Sequence, residues 1–291
     1  MTRSEKGKEG NASGRQGGGN KRKFSGRQGG GLVNKSYSRG NAPVKNQQLK
    51  TPATKSDEVR LNKYIANSGV CSRRDADIYI ASGNVMVNGE VITQMGHKVK
   101  STDIVKFDGK VINQEKKEYV LLNKPKGFIT TTRDEKGRRT VMDLVSKASK
   151  ARLLPVGRLD RNTTGLLMFT NDGDLAKKLT HPKHGVRKIY HVELDKPLKH
   201  EDLKNIENGL TLEDGPIEVD EVNYVENASK REIGIKIHSG RNRIVRRIFE
   251  HLGYEVVKLD RVVFAGLTKK DLPRGHWRYL TQQEVINLKM V

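Results

Sequence analysis

The chain has 291 residues, of which 56 are lysine or arginine and 34 are aspartate or glutamate, so its formal net charge at pH 7 is +22. This excess of positive charge indicates a polyanionic partner, and since no apolar run approaches the roughly 20 residues that span a bilayer, nucleic acid is favoured over a membrane. The single cysteine, Cys71, excludes an internal disulfide framework and fits a reducing cytoplasm.

Residues 1–56 form a low-complexity segment. They carry 13 lysines and arginines against two acidic residues, and the string Ser-Gly-Arg-Gln-Gly-Gly-Gly occurs twice, at 13–19 and 25–31. Such a composition buries too little apolar surface to offset the entropy of ordering, so we predict a disordered basic tail over 1–57. Its arginines and glycines suit contact with RNA phosphates, and a plain flexible extension explains the composition equally well.

Ordered structure is predicted from residue 58 onward. Apolar residues at helical spacing from Leu61 predict one helix, and Ser72 with Asp75 three positions later forms a capping box that opens a second. Two hairpins follow, one on the Asn-Gly turn at 88–89 and one on the Asp-Gly turn at 108–109.

This order of elements, with the strings Ser72-Arg73-Arg74-Asp75-Ala76 and Val87-Asn88-Gly89, resembles the S4-like RNA-binding domain. The resemblance implies a domain over 58–113 in which Arg73 and Arg74 contact the backbone of structured RNA. Spacing alone favours an ordinary solvated helix face for the two arginines.

The next segment is strand-like at 119–123 and runs into Lys124-Pro125-Lys126-Gly127. Proline and glycine predict a turn there, which would leave both lysines exposed.

Residues 155–174 place Asp160 between Arg158 and Arg161, just before the apolar run 166–169. The run predicts a buried strand, and a carboxylate on a loop beside such a strand is well placed for chemistry. Taken alone, an aspartate in this setting more often forms a salt bridge or caps the turn.

The full string changes this balance. Gly157-Arg158-Leu159-Asp160, continued by 162–167 and 170–175, resembles the catalytic signature of the RsuA-like family of ribosomal RNA pseudouridine synthases. The resemblance implies that Asp160 is the indispensable catalytic residue. The family's K-P-x-G motif is matched at 124–127 and its L-P-x-G-x-W string at 272–277.

Two further segments match this family. Residues 187–194 alternate like a strand, and Lys188-Ile189-Tyr190 matches the K-x-Y motif, which implies that Tyr190 lies in the pocket rather than in the core. The segment 240–247 has the form G-R-x-R-x-x-R-R, which implies that Arg246 pairs with Asp160.

The helical pattern around Arg246 leaves a second interpretation open. A helix drawn from Asn242 has an apolar stripe, with Arg243 on the polar face and Arg246 near its border. Spacing alone favours a helix that its arginines keep soluble, with Arg246 pairing with Glu250.

Other basic residues near the motifs are predicted to contact RNA. This set consists of Arg73, Arg74, Lys124, Lys126, Arg158, Arg161, Arg241 and Arg243. No metal site is predicted, because His181 and His184 lack further ligands nearby, and no cofactor is predicted, because the sequence has neither a Walker loop nor a dinucleotide fingerprint.

Together these patterns predict an α+β protein in which the S4-like domain is followed by a catalytic domain over 118–289, built on a mixed, mainly antiparallel sheet. The resemblance implies a cytoplasmic, monomeric enzyme that isomerises a uridine to pseudouridine in ribosomal RNA. The strings 162–165, 212–216 and 272–277 look most like the B-type branch of the family, which acts on the large ribosomal subunit, so 23S rRNA or an assembly intermediate of that subunit is the favoured partner. Small-subunit rRNA or another large-subunit uridine is the alternative within the family. A non-catalytic ribosome assembly factor that binds RNA is the alternative from another class.

Overall fold

The structure is a computed structural model that describes residues 57–291. The predicted disordered tail lies outside the described residues, apart from residue 57. No helix in the described part of the chain has both the length and the apolar character needed to cross a bilayer.

The N-terminal part of the described chain consists of two helices and two small sheets. Its elements are β1 (Val59–Arg60), α1 (Leu61–Asn67), α2 (Arg73–Ala81), β2 (Val85–Val87), β3 (Glu90–Val91), β4 (Lys98–Val99), β5 (Val105–Phe107) and β6 (Lys110–Val111). The predicted capping box at Ser72 is present and begins α2. Both predicted hairpins form, with Asn88 and Asp108 in the left-handed conformation that a tight turn requires.

The C-terminal part is larger and contains the main sheet. Its elements are β7 (Tyr119–Lys124), α3 (Val141–Val145), β8 (Leu154–Pro155), β9 (Thr164–Thr170), α4 (Gly173–Thr180), a 3-10 turn (Pro182–His184), β10 (Lys188–Leu194), α5 (His200–Glu207), β11 (Leu210–Leu212), β12 (Gly215–Ile217), β13 (Glu221–Tyr224), β14 (Glu232–Ile237), α6 (Ile244–His251), β15 (Val256–Phe264), β16 (Leu267–Thr268), β17 (Trp277–Tyr279) and α7 (Gln282–Met290).

The main sheet has nine strands, seven of them in the order β13-β14-β10-β15-β9-β7-β17. Every pairing in it is antiparallel except that of β9 with β15. The prediction of an α+β fold with a mixed, mainly antiparallel sheet is therefore confirmed.

Strand β9 is buried on both faces, as its continuous apolar run predicts. Leu166 and Met168 pack in one core cluster with residues of α4, whereas Leu167 and Phe169 pack in another with residues of α3. All four side chains are fully buried. The strand therefore forms a rigid base directly after the loop that carries Asp160.

Gly165 allows β9 to approach β15. It pairs with Arg261, has φ +104°, and a Cβ atom at this position would lie 2.3 Å from the backbone oxygen of Arg261. Only glycine tolerates both the positive φ and the close backbone contact.

Gly165→Ala should lower the free energy of unfolding by about 3 kcal/mol or more, because backbone strain and a clash with a neighbouring strand act together. Gly173→Ala is the matched control, since Gly173 begins α4 and an added Cβ there meets no atom within 4 Å. The control should be neutral or stabilising by up to about 1 kcal/mol. Urea denaturation measures both, and equal effects would contradict the assigned role of Gly165.

Candidate active site

A pocket of about 180 Å³ lies beside the loop that precedes β9. This is many times the roughly 10–15 Å³ that a single water needs. The pocket is lined by residues of the loop 157–160, strand β10, the segment before α6 and strand β15. Its charged and aromatic lining includes Arg158, Asp160, Lys188, Tyr190, Arg241 and Arg243. The fold thus brings together residues from motifs that are up to about 80 positions apart in the sequence.

The loop that carries Asp160 is fixed from two sides. The Thr130 hydroxyl donates to the carbonyl of Leu159 at 2.8 Å and accepts from its backbone amide at 3.2 Å. Within the loop, the amide of Thr163 donates to the carbonyl of Asp160 at 3.1 Å. The carboxylate itself is half-buried and lines the pocket, so the loop is rigid where its side chain is accessible.

Lys124 provides the second support of this loop. Its Nζ donates to the carbonyls of Asp160 at 3.1 Å, Arg161 at 3.3 Å and Thr163 at 2.8 Å, and to that of Pro125 at 3.2 Å. The side chain is completely buried. Burial lowers the pKa of its ammonium to about 8, although the nearby charge of Asp160 acts in the opposite direction.

The expectation that Lys124 contacts RNA is therefore wrong, because its charge faces carbonyl oxygens in the interior. The K-P-x-G turn leaves only Lys126 exposed. The sequence could not distinguish the two lysines, since the direction of each side chain depends on the loop 160–163, which is distant in sequence.

Tyr190 lies on β10 directly opposite Arg261 of β15, half-buried, and lines the pocket. Lys188 precedes it by two residues, and its Nζ donates to the carbonyls of His238 at 2.7 Å and Ser239 at 3.4 Å. Burial lowers the pKa of Lys188 to about 8, and the positive charge of Arg261 adds to this effect. Lys188 therefore ties β10 to the segment that leads into α6, a role that the K-x-Y match did not predict.

The two arginines of the third motif do not lie at their expected positions. Arg243 Nη1 lies 3.9 Å from Asp160 Oδ2, and its Nη2 lies 3.1 Å from Glu250. Arg246 is buried and donates instead to the carbonyl of Val256 at 2.7 Å. Burial and then the charge of Arg243 lower the pKa of Arg246, while Asp160 acts in the opposite direction.

The contact between Arg243 and Asp160 has a conformational cause. The periodicity predicts a helix from Asn242, but α6 begins at Ile244, and Arg243 is its N-terminal cap residue with φ +47°. A residue in the left-handed conformation leaves the helical path, so Arg243 turns toward Asp160 instead of staying on the polar face. The direct contact predicted for Arg246, and its predicted pairing with Glu250, are both made by Arg243.

The other predicted RNA-binding residues lie at three places. Arg158 and Arg241 line the pocket, and Arg241 also lies 3.5 Å from Asp214. Lys126 and Arg161 are exposed beside the loop that carries Asp160 but are not part of the pocket lining. Finally, Arg73 and Arg74 are exposed on the first turn of α2.

The sequence patterns did not single out the buried carboxylate of Asp260, which is not part of the pocket lining. Asp260 lies opposite Thr164 in the parallel pair and accepts hydrogen bonds from Thr164 at 2.7 Å, Arg274 at 2.7 Å and Lys269. Burial alone would raise its pKa, but these donors outweigh burial and hold the pKa well below its ordinary value. The hydrogen bond from Thr164 of β9 to Asp260 of β15 joins the two strands. In residues 57–291, no group of three or more potential metal-ligating side chains converges.

Lys124→Met should lower both stability and turnover, because the carbonyls of the loop lose a buried donor, at about 1–3 kcal/mol for each one left unsatisfied. Lys126→Met removes the same charge from an exposed position and should change the free energy of unfolding by no more than about 0.5 kcal/mol. Urea denaturation and single-turnover rates test the pair. Equal, small effects would show that the loop does not depend on Lys124.

The pH dependence of stability offers a second test of Lys124. Its pKa falls from 10.5 to about 8 on folding, so between these pH values the unfolded chain binds more protons. The free energy of unfolding of the wild type should therefore rise from pH 8 to pH 10.5. Lys124→Met should lose part of this rise, and Lys188 should supply the remainder.

Comparison with known proteins agrees with this geometry. A family model of RNA pseudouridylate synthase matches residues 118–251, and an S4 domain model matches residues 59–105. The chain is 41% identical over 233 residues to ribosomal large subunit pseudouridine synthase B of Bacillus subtilis (strain 168), covering 79% of this chain and 95% of that protein. It is 39% identical over 233 residues to the dual-specificity RNA pseudouridine synthase RluF of Escherichia coli (strain K12), covering 79% and 78%.

A solved structure shows the same relationship. The crystal structure of a pseudouridylate synthase superimposes with a TM-score of 0.56 at 30% sequence identity, covering 79% of this chain and 99% of the other. Relatives of this similarity cover most of the chain, and the pocket is assembled from the expected motifs. The chain therefore belongs to the family of RNA pseudouridine synthases, which are isomerases, and it also carries an S4 domain.

Proposed function

We propose that this synthase converts a specific uridine of large-subunit ribosomal RNA, 23S rRNA, into pseudouridine, with Asp160 as the catalytic residue. The relative from Bacillus subtilis is named for the large ribosomal subunit, which supports this choice of RNA. The observation that carries the catalytic assignment is the position of the Asp160 carboxylate, which lines the pocket on a loop that Lys124 and Thr130 hold rigid.

The chemistry of the reaction fits such a site. The N-glycosidic bond of uridine breaks, the base rotates, and C5 bonds to the sugar; the proton on C5 is lost and N1, freed from the sugar, takes up a proton. The reaction has no net redox change and needs no phosphate donor. A carboxylate can act as nucleophile or base in these steps.

The neighbouring side chains have complementary roles in this proposal. The target base must leave its stack to reach Asp160, and Tyr190 offers an aromatic surface beside it. Arg243 orients the carboxylate from 3.9 Å, and Arg246 adds a buried positive charge behind it. Six basic residues contact RNA phosphates: Arg158 and Arg241 at the pocket, Lys126 and Arg161 beside it, and Arg73 and Arg74 on α2.

We also propose the domain limits 58–113 and 118–289, since the helices and strands on either side of the connector have core clusters of their own. We also propose that the enzyme acts as a monomer. An enzyme that modifies ribosomal RNA works where ribosomes are made, which supports the cytoplasm.

Asp160→Asn should abolish pseudouridine formation and leave RNA binding largely intact, because it removes the charge and keeps the shape of the side chain. The measurement is the release of tritium from RNA labelled at C5 of uridine, together with filter binding of the same RNA. Turnover within about tenfold of the wild type would exclude Asp160 as the nucleophile or base.

Arg243→Gln and Arg246→Met should differ in their effects. Arg243→Gln removes the direct contact with Asp160 from an exposed side chain, so turnover should fall while stability changes by less than about 1 kcal/mol. Arg246→Met leaves the carbonyl of Val256 without its buried donor, so stability should fall by about 1–3 kcal/mol. If Arg246→Met instead abolishes turnover in a stable protein and Arg243→Gln does not, the direct partner of Asp160 is Arg246.

A further inference from the structure

A second concave surface lies on the described part of the chain, along α4 and the 3-10 turn that follows it. This hollow has a volume of about 250 Å³. We call it the α4 hollow, and its lining consists of Asp174, Lys177, Lys178, His181, Lys183 and His184. None of these residues lines the active-site pocket. Asp174 belongs to the string 170–175 of the family signature, and the other five residues lie outside the motifs discussed above as catalytic.

The α4 hollow carries positive charge that its own residues do not neutralise. Three of its six lining residues are lysines and one is a carboxylate, Asp174, which Lys63 already binds at 2.6 and 2.7 Å through both oxygens. Lys177 and Lys183 are exposed to solvent. Desolvation and then the charges of Lys183, Lys178 and His181 lower the pKa of His184, as expected where positive groups crowd together.

The position of the α4 hollow connects the two RNA-binding parts of the molecule. At the first turn of α4, Asp174 contacts Lys63 of α1, which belongs to the S4 domain. At the last turn, Leu179 and Thr180 line the active-site pocket, and Thr180 lies beside Gly157 of the loop that carries Asp160. The eight residues of α4 cover about 12 Å. The lysines of the hollow therefore lie on or directly after the helix whose two ends contact the S4 domain and the pocket.

We propose that the α4 hollow binds phosphate groups of the substrate RNA, on the stretch of the strand that runs from the S4 domain to the active-site pocket. This inference rests on the proposed function, since it takes RNA as the substrate. Lysine ammonium groups suit phosphate oxygens as point charges. His181 Nδ1 accepts the amide of Lys183 at 3.2 Å, so its Nε2 carries the proton and is available as a donor to a phosphate.

The test compares two double variants of the full chain. Lys177→Gln with Lys183→Gln removes two exposed charges of the α4 hollow. Lys204→Gln with Lys230→Gln is the matched control, because both lysines are exposed and neither lines the hollow or the pocket. Filter binding of unmodified 23S rRNA transcript over a series of KCl concentrations gives the slope of log K against log salt for each protein.

The hollow variant should lower the magnitude of this slope by about 1.4 to 1.8, which corresponds to two lost phosphate contacts. The control should keep the slope of the wild type. Lys177→Arg with Lys183→Arg keeps the charge and should also keep that slope, which separates loss of charge from any effect on folding. Equal slopes for the hollow variant and the control would overturn the proposal.

A second measurement on the same RNA transcript separates this inference from the proposed function. Tritium release by the wild type on the 23S transcript tests the function directly. If the wild type releases no tritium, the proposed substrate is wrong, and the slopes still decide whether the α4 hollow binds RNA. If tritium is released and the slopes do not differ, only the inference about the hollow fails.

Discussion

The buried ammonium of Lys124 is the interaction on which the active site depends most. Three carbonyl oxygens of the loop before β9 point into the interior, where water cannot satisfy them, and one Nζ donates to all three and to Pro125. Such groups are costly when left unpaired. The backbone of Asp160 is therefore fixed by a charge that does not line the pocket, while its carboxylate does.

Sheet topology then places the other site residues around this loop. Because β15 pairs with β9 on one side and β10 on the other, the loop before β9 comes close to Tyr190 and Lys188 on β10. The single parallel pairing of this sheet depends on Gly165, where no side chain fits, and on Asp260, which joins the two strands. The pocket is thus a consequence of strand order.

The charged side chains that line the pocket are mostly positive. Among the described residues that line the pocket, Asp160 is the only carboxylate, and five are lysines or arginines: Arg158, Lys188, Arg241, Arg243 and Arg261. Several of these cations are already engaged, Lys188 with two carbonyls and Arg261 with the carbonyl of Leu166 at 2.8 Å. The cations of the pocket are consequently divided between those that support the fold and those that remain available to a polyanionic substrate.

The sequence alone determined the features whose causes are local. The capping box at Ser72, the Asn88 turn and the continuous apolar run of β9 each depend on residues a few positions apart, and each formed as predicted. The motif around Asp160 was sufficient to identify the family. Only the tertiary structure decided that Lys124 points inward and that Arg243 rather than Arg246 contacts Asp160, because both depend on distant backbone: the loop 160–163 for the lysine, and the left-handed start of α6 for the arginine.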